Sequence, residues 1–377
     1  MSKYIITQMG YLEKYDANDF CLLDRLKEIK PKCKENTLKE YEKKFWRFKK
    51  RFNSPKFGSK KFSFLNATKD IKNELEKYTE GTRKNYLSML IAIAKCIEMK
   101  SNEDVFIDWF NDLRAKTAKP KPMSQKTIDK WITFKQVKET RKYYMDKFEA
   151  LMKSKSKNRR LLKKDEVDLV NFVVLMLYFS DCERLAKAVN PPRRLEYSNV
   201  VVRQLGFTGD KDRLEKDLKE RNILYVDEKG MPQYFQFNNY KTHKHYGEHN
   251  TRINKRLKRV LNFYFKIHHK LPADLNDLNK ENPFWLLPKQ NGDPISGNQL
   301  GQIIRRTFYG YTKKAPTINT LRSIFTSEVF KHTPKQNHLK GMCLNMGNSL
   351  KIQMGYYRKN LTSTGELKNE DIVLSDD

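Results

Sequence analysis

Tyr357 stands nine residues after Asn348, between the turn Met346-Gly347-Asn348-Ser349 and the basic run Arg358-Lys359. Upstream, Arg322 sits among Leu321, Ile324 and Phe325. A phenol is nearly inert as a nucleophile at neutral pH, because it keeps its proton up to a pKa of about 10. A tyrosine behind a small polar turn and downstream of a buried arginine therefore points to covalent chemistry on a phosphodiester. Such an attack needs cations on the non-bridging oxygens, a proton for the leaving oxygen and an in-line approach. Arginine suits the first task, since its planar fork grips two oxygens and never loses its charge. Lysine suits the second, since neighbouring arginines depress its pKa towards neutrality.

Candidates for both tasks lie earlier in the chain. Pro191-Pro192-Arg193-Arg194-Leu195-Glu196 carries two arginines just after an apolar run. Either register is open there, with Arg194 two residues before the acidic Glu196 and Arg193 three; the reading leans to Arg194. Lys241, in Asn239-Tyr240-Lys241-Thr242, follows a β-type run where a hairpin would carry a lysine outwards. Arg322, in apolar surroundings, is expected to be buried and paired. Tyr356 is the fallback nucleophile, about 100° away around a helix from Tyr357.

The elements that must position these residues are mostly helical. Thr37 and Glu40 form a capping-box pattern, and Leu38, Tyr41, Phe45, Phe48 and Phe52 then fall on one face. Further helices are expected over about 70–78 and after Gly81. The breaker-rich segment Lys116-Thr117-Ala118-Lys119-Pro120-Lys121-Pro122-Met123 marks a boundary. After it come a helix introduced by Trp131-Ile132-Thr133 and a buried helix over Val167–Phe179. Val200–Val202, Ile223–Val226 and Tyr234–Phe237 read as short strands, the last two joined by a turn at Glu228-Lys229-Gly230. Helices over 253–268, 296–309 and the remainder to Asn360 complete the chain. The fold class expected is mainly α with a small antiparallel β-sheet: a helical domain plus an α+β domain. The boundaries are an arm at 1–34, a helical unit at 35–118, a linker at 119–126, a second unit at 127–362 and an acidic tail at 363–377.

Composition narrows the partner. Of 377 residues, 76 are Lys or Arg against 45 Asp or Glu, and the net charge of +31 is spread along the chain, so the natural partner is a polyanion. A hydrophobic share of 38% excludes a wholly disordered protein. Cys21, Cys33, Cys96, Cys182 and Cys343 form no Cys-x-x-Cys pair, which speaks against zinc ribbons and disulfide frameworks and for a reducing compartment. Neither a secretory signal nor an apolar run of roughly 20 residues is present, so a soluble intracellular protein without membrane partners is expected. Without a nearby cysteine, His243, His245 and His249 are read as contacts beside Lys241 and not as a metal site; no Gly-rich nucleotide loop occurs.

Taken in order, Arg193/Arg194, Lys241, Asn319-x-x-Arg322, Gly347-Asn348-Ser349 and Tyr357 resemble the site residues of the tyrosine recombinase (phage-type integrase) family. The likeness extends over 37–115, similar to a core-binding domain that clamps DNA, and 127–360, similar to a catalytic domain. The Pro-Pro-Arg-Arg and Tyr-Lys-Thr wording looks most like members from large DNA viruses or their virophage-type parasites, which would place the chain in a host nucleus or cytoplasm. The resemblance implies a DNA strand transferase without metal or nucleotide cofactor, in which Tyr357 forms a 3′-phosphotyrosyl link on double-stranded DNA. Arg194 (or Arg193) and Arg322 would hold the phosphate and Lys241 would protonate the leaving oxygen, with four protomers acting on two duplexes. Asn319 and Asn348 stand where the family has histidine; an asparagine donates to a phosphate oxygen but relays no proton. A type IB topoisomerase and a catalytically impaired DNA-binding relative are the alternatives.

Overall fold

The computed structural model describes residues 15, 20–54, 57, 61–116, 124–155, 161–183, 185, 188, 190–206, 220–279, 282–331 and 336–347. Asn348, Tyr356, Tyr357, the tail at 363–377, most of the arm before Phe20 and the first part of the linker lie outside the described residues. The chain divides into two compact units, residues 1–121 and 122–377, each with its own apolar core.

The first unit is helical. Helix α1 (Leu22–Ile29) buries Leu22 and Leu26. Helix α2 (Glu35–Lys49) buries Leu38, Phe45 and Phe48, while Lys43 and Arg47 stay exposed. The expected cap at Thr37 is not formed. The backbone is already helical at Glu35, so the Thr37 N–H goes to the Lys34 carbonyl at 2.8 Å. Helix α3 (Thr68–Glu76) and the long α4 (Glu80–Cys96) follow, with Gly81 inside the first turn of α4. Helix α5 (Lys100–Lys116) packs along α4 and was not anticipated, although Phe106, Trp109, Phe110 and Leu113 recur at three- and four-residue spacing.

The second unit is built around one helix. Helix α6 (Phe134–Lys155) opens with reciprocal bonds, Thr133 N–H to Gln136 Oε1 at 2.9 Å and Gln136 N–H to Thr133 Oγ1 at 3.1 Å. Helix α7 (Lys163–Phe179) buries Leu169 and every residue from Phe172 to Phe179, an all-round burial that its continuous apolar run dictates. Packed against α7 are α6, α8 (Lys255–Ile267) and α9 (Gly297–Thr312). Asn254 Oδ1 caps α8 through the Leu257 N–H at 2.9 Å, and Ser296 with Gln299 forms a capping box on α9. Helices α10 (Ile318–Phe330) and α11 (Gln336–Asn345) complete the described chain. No helix of the described residues is long and apolar enough to cross a membrane.

Among the described residues the strands form one sheet in the order β1 (Val200–Gln204), β2 (Asn222–Val226), β3 (Pro232–Phe237), β4 (His249–Arg252). Pair β2–β3 is antiparallel as expected and β3–β4 is antiparallel too, but β1 and β2 run parallel, making the sheet mixed. Residues 205–221 separate them, a connection long enough for a crossover and far longer than a hairpin needs. Strand β4 was not foreseen, since His249-Asn250-Thr251-Arg252 has little apolar character and buries only Thr251. His243 and His245 lie in a single helical turn, His243–Tyr246. The Lys241-bearing segment is thus the β3–β4 connection.

Candidate functional site

The segment 190–194 enters the site under tight control from the end of α7 and the start of α8. The Asn254 amide donates to Ser180 Oγ at 2.7 Å and to Asp181 Oδ1 at 2.9 Å. Asn190 N–H donates to Asp181 Oδ2 at 2.9 Å, and its amide to the Arg252 carbonyl at 3.1 Å. Two residues past Pro192, the Arg194 carbonyl accepts from the Tyr178 hydroxyl at 2.5 Å. Pro191 and Pro192 have no N–H to satisfy and restrict φ, so the turn is stiff as well as tied.

Arg193 is the product of that arrangement. It is 1% exposed, and its guanidinium carbon lies 3.7 Å from the centre of the Phe237 ring and 5.3 Å from that of Tyr240. Nη1 donates to the Asn345 carbonyl at 2.5 Å, whereas Nε and Nη2 are buried and meet no acceptor among the described residues. Burial pulls the arginine below its usual pKa and the nearby Glu196 carboxylate opposes this, so the group stays charged. Glu196 Oε2 is itself buried with no hydrogen-bond partner among the described residues. A buried guanidinium with open N–H groups next to an aromatic platform is prepared for an anion.

The other arginines converge on the same backbone. Arg322, 0% exposed on α10, donates to the Pro192 carbonyl at 2.6 Å and through both Nη atoms to the Met346 carbonyl at 3.3 Å. Half-buried Arg194 donates to the Gly347 carbonyl at 3.3 Å, and Thr242 Oγ1 reaches the same oxygen at 2.7 Å. Three consecutive carbonyls, from the last residue of α11 onwards, thus receive Arg193, Arg322 and Arg194 in turn. The negative end of a helix is a natural seat for cations. Gly347 has φ +66°, and a Cβ there would meet Arg193 Nη2 at 3.2 Å and Tyr240 Cδ2 at 3.3 Å. Backbone and guanidinium approach that closely because the residue is glycine.

Lys241 is exposed in the turn after β3. Asn222, 1% exposed, holds the base of that turn: its Oδ1 accepts from Asn238 N–H at 3.1 Å and Asn239 N–H at 2.9 Å, and its amide donates to the Glu196 and Asn239 carbonyls at 3.1 and 3.2 Å. Asn319 is exposed in the first turn of α10, three residues before Arg322 and so on a neighbouring position of the helix surface. Arg193, Arg194, Arg322 and the Lys241 turn are therefore joined by contacts to one another or to 345–347. Asn348, the next residue, and the tyrosines lie outside the described residues.

Several members of this site were not in the sequence reading: Phe237, Tyr240, Thr242, Asn222 and Asn345; His249, read there as a contact beside Lys241, opens β4. His249 Nε2 lies 2.9 Å from Asn345 Oδ1. Glu196 and His249 had sequence signals, the first in its three-residue spacing from Arg193 and the second in its nearness to Lys241 along the chain. The rest depend on which loops meet, which no local pattern encodes. Among the described residues no group of His, Cys, Asp or Glu is arranged to hold a metal ion.

No protein-family model and no curated protein matches the chain. Among solved structures it is similar to one described as the crystal structure of XerA recombinase, with 12% identity over 91% of this chain and 94% of that chain and a TM-score of 0.35. That likeness is too loose to assign any residue a role.

Proposed function

We propose that the chain is a site-specific DNA recombinase that breaks and rejoins double-stranded DNA through a covalent 3′-phosphotyrosyl intermediate. The observation that carries the reading is Arg193, a fully buried cation with Nε and Nη2 left open beside Gly347. Burying donors without acceptors costs about 1–3 kcal/mol each, and a phosphate oxygen arriving at Nε and Nη2 removes that cost. Arg193, not Arg194, is then the phosphate ligand, since Arg194 is half-buried and turned to the Gly347 carbonyl. The +31 charge supports a DNA partner independently.

In this reading Tyr357 attacks phosphorus and the bond to the 5′-oxygen breaks, with Lys241 giving that oxygen its proton. Arg193 and Arg322 hold the non-bridging oxygens as charge builds, and Asn319 and Asn348 add hydrogen bonds. The phosphotyrosyl link conserves the energy of the phosphodiester, so a 5′-hydroxyl from a second strand reverses the step onto new DNA. Exchange between two duplexes calls for four protomers, and the viral wording of the arginine and lysine motifs favours integration of a mobile genome. No metal or nucleotide takes part in these steps.

Because the DNA site is unknown, the test uses a pool of nicked duplexes randomised around the nick, from which covalent protein–DNA adducts are recovered under denaturing conditions. An adduct lost in Tyr357→Phe is the expected result. Loss in Tyr356→Phe instead moves the nucleophile by one residue. Tight binding with no adduct makes the chain a non-catalytic DNA-binding relative, and relaxation of a plasmid without a selected site makes it a topoisomerase.

A further inference from the structure

His249 sits beside the arginines at a position no motif marks. It opens β4, directly across from Phe237 on β3, the residue that forms the platform under Arg193. Its Nε2 is 2.9 Å from Asn345 Oδ1, and the Asn345 carbonyl accepts from Arg193 Nη1. The Asn345 amide nitrogen is directed to the Ala188 carbonyl at 3.4 Å, which fixes which way round the amide lies. An amide oxygen only accepts, so Nε2 carries the hydrogen and Nδ1 keeps its lone pair. Nδ1 makes no hydrogen bond to any described residue.

Burial holds the imidazole below its ordinary value of 6.5; the Asn345 bond opposes this and the positive charge of Arg193 adds to it. Glu248, the carboxylate just before β4, acts on Tyr225 and Tyr234 instead. Among the described residues Arg193 is thus the charged group acting on the ring, and His249 is neutral near pH 7 with a free basic nitrogen.

We infer that His249 is the general base of this site, accepting at Nδ1 the proton of the attacking tyrosine. The inference rests on the strand-transfer reading above and supplies what that reading lacks, since Asn319 and Asn348 have no proton-accepting nitrogen. As the tyrosine oxygen bonds to phosphorus, its proton passes to Nδ1. As the bond from phosphorus to the 5′-oxygen breaks, that oxygen takes a proton from Lys241. Imidazolium and neutral lysine remain, so charge and protons balance, and rejoining runs the same transfers backwards.

The test measures single-turnover adduct formation from pH 5 to 8 on a duplex recovered from the randomised pool and on the same duplex with sulfur at the 5′-bridging position. Sulfur leaves without a proton, so that substrate rescues loss of the acid and not loss of the base. The variants are His249→Gln, which keeps a donor for Asn345, His249→Ala with and without added imidazole, and Lys241→Ala. The wild-type rate is expected to fall as pH drops below 6.5. His249→Gln is expected to be slower by about 10²-fold, to lose that acidic limb and to stay slow on the sulfur substrate, which restores Lys241→Ala. Imidazole is expected to restore His249→Ala in proportion to its neutral form. A wild-type rate and acidic limb in His249→Gln, or a slow variant that keeps the limb and ignores imidazole, overturns the base assignment while leaving a Tyr357-dependent adduct intact. Absence of any wild-type adduct overturns the strand-transfer reading and the base assignment together.

Discussion

The guanidinium carbon of Arg193 lies over the ring of Phe237, 3.7 Å from its centre. The arginine comes from the turn after α7 and the phenylalanine from β3, so this contact welds the helical part of the second unit to its sheet. On the same guanidinium the Asn345 carbonyl holds Nη1, while Nε and Nη2 meet no acceptor among the described residues. Phe237→Leu keeps an apolar side chain but removes the ring's attraction for a cation, about 0.5–2 kcal/mol. Adduct formation should slow more than the unfolding midpoint falls. Parallel kinetics and urea denaturation would reveal the difference, and an equal loss in both would reduce Phe237 to a packing residue.

The two arginines of the Pro-Pro-Arg-Arg turn should separate cleanly. Losing a donor that acts on the transition state costs about 10²–10³ in rate, which is the effect expected of Arg193→Ala. Arg194→Ala removes a long 3.3 Å bond to the Gly347 carbonyl, which Thr242 still satisfies. Its adduct rate should remain within about tenfold of wild type. The reverse ranking would hand the phosphate to Arg194.

Gly347→Ala combines two penalties. Its φ of +66° is strained for a residue with a Cβ, by about 1–2 kcal/mol, and that Cβ would press on Arg193 Nη2 at 3.2 Å. Stability should drop by about that amount and the adduct rate should fall with it. Asn tolerates a positive φ better, so Gly347→Asn should recover part of the stability and none of the rate. Full recovery of rate in Gly347→Asn would show that Arg193 yields freely.

Asn222→Ala leaves the Asn238 and Asn239 N–H groups and the Glu196 carbonyl without their partner. Each buried group left unpaired costs about 1–3 kcal/mol. The turn bearing Lys241 should loosen, seen as faster amide exchange at 238–241 than in the wild type. Unchanged exchange there would mean the turn is held by other contacts.

His269 gives the fold an acid limit. It stacks on Phe284 at 4.1 Å between ring centres, and burial lowers its pKa to about 4 against a bond to the Trp285 carbonyl that opposes the shift. Its folded pKa lies below the unfolded value, so the stability it carries is present above pH 6.5 and declines as pH falls towards about 4. The loss over that window is on the order of 3 kcal/mol. His269→Phe, which stacks but does not titrate, should flatten the pH dependence of urea unfolding between those limits; an unchanged slope would move the effect to other groups.

How legible the site was depended on the kind of information each residue carries. Leu38, Phe45 and Phe48 announce α2 through their spacing, and the unbroken run to Phe179 announces a central helix. Such signals are local, since a helix repeats every 3.6 residues. Strand β4 was missed because its stability comes from pairing with β3 and not from its own side chains. The parallel pairing of β1 and β2 depends on the path of 205–221, which side-chain alternation does not record.

The sequence by itself determined the helical character, the basic charge, the two-unit layout it leads one to expect, and the chemical types available: arginine, lysine and tyrosine in a fixed order. Tertiary structure decided which of two adjacent arginines is buried with open donors, that Phe237 and Tyr240 support it, and that His249 lies against Asn345 while Asn319 stays at the surface. The physical reason is that residue type and short spacing are properties of the chain. Burial, stacking and hydrogen bonding between residues 152 positions apart, as for Arg193 and Asn345, exist only after the chain has closed on itself.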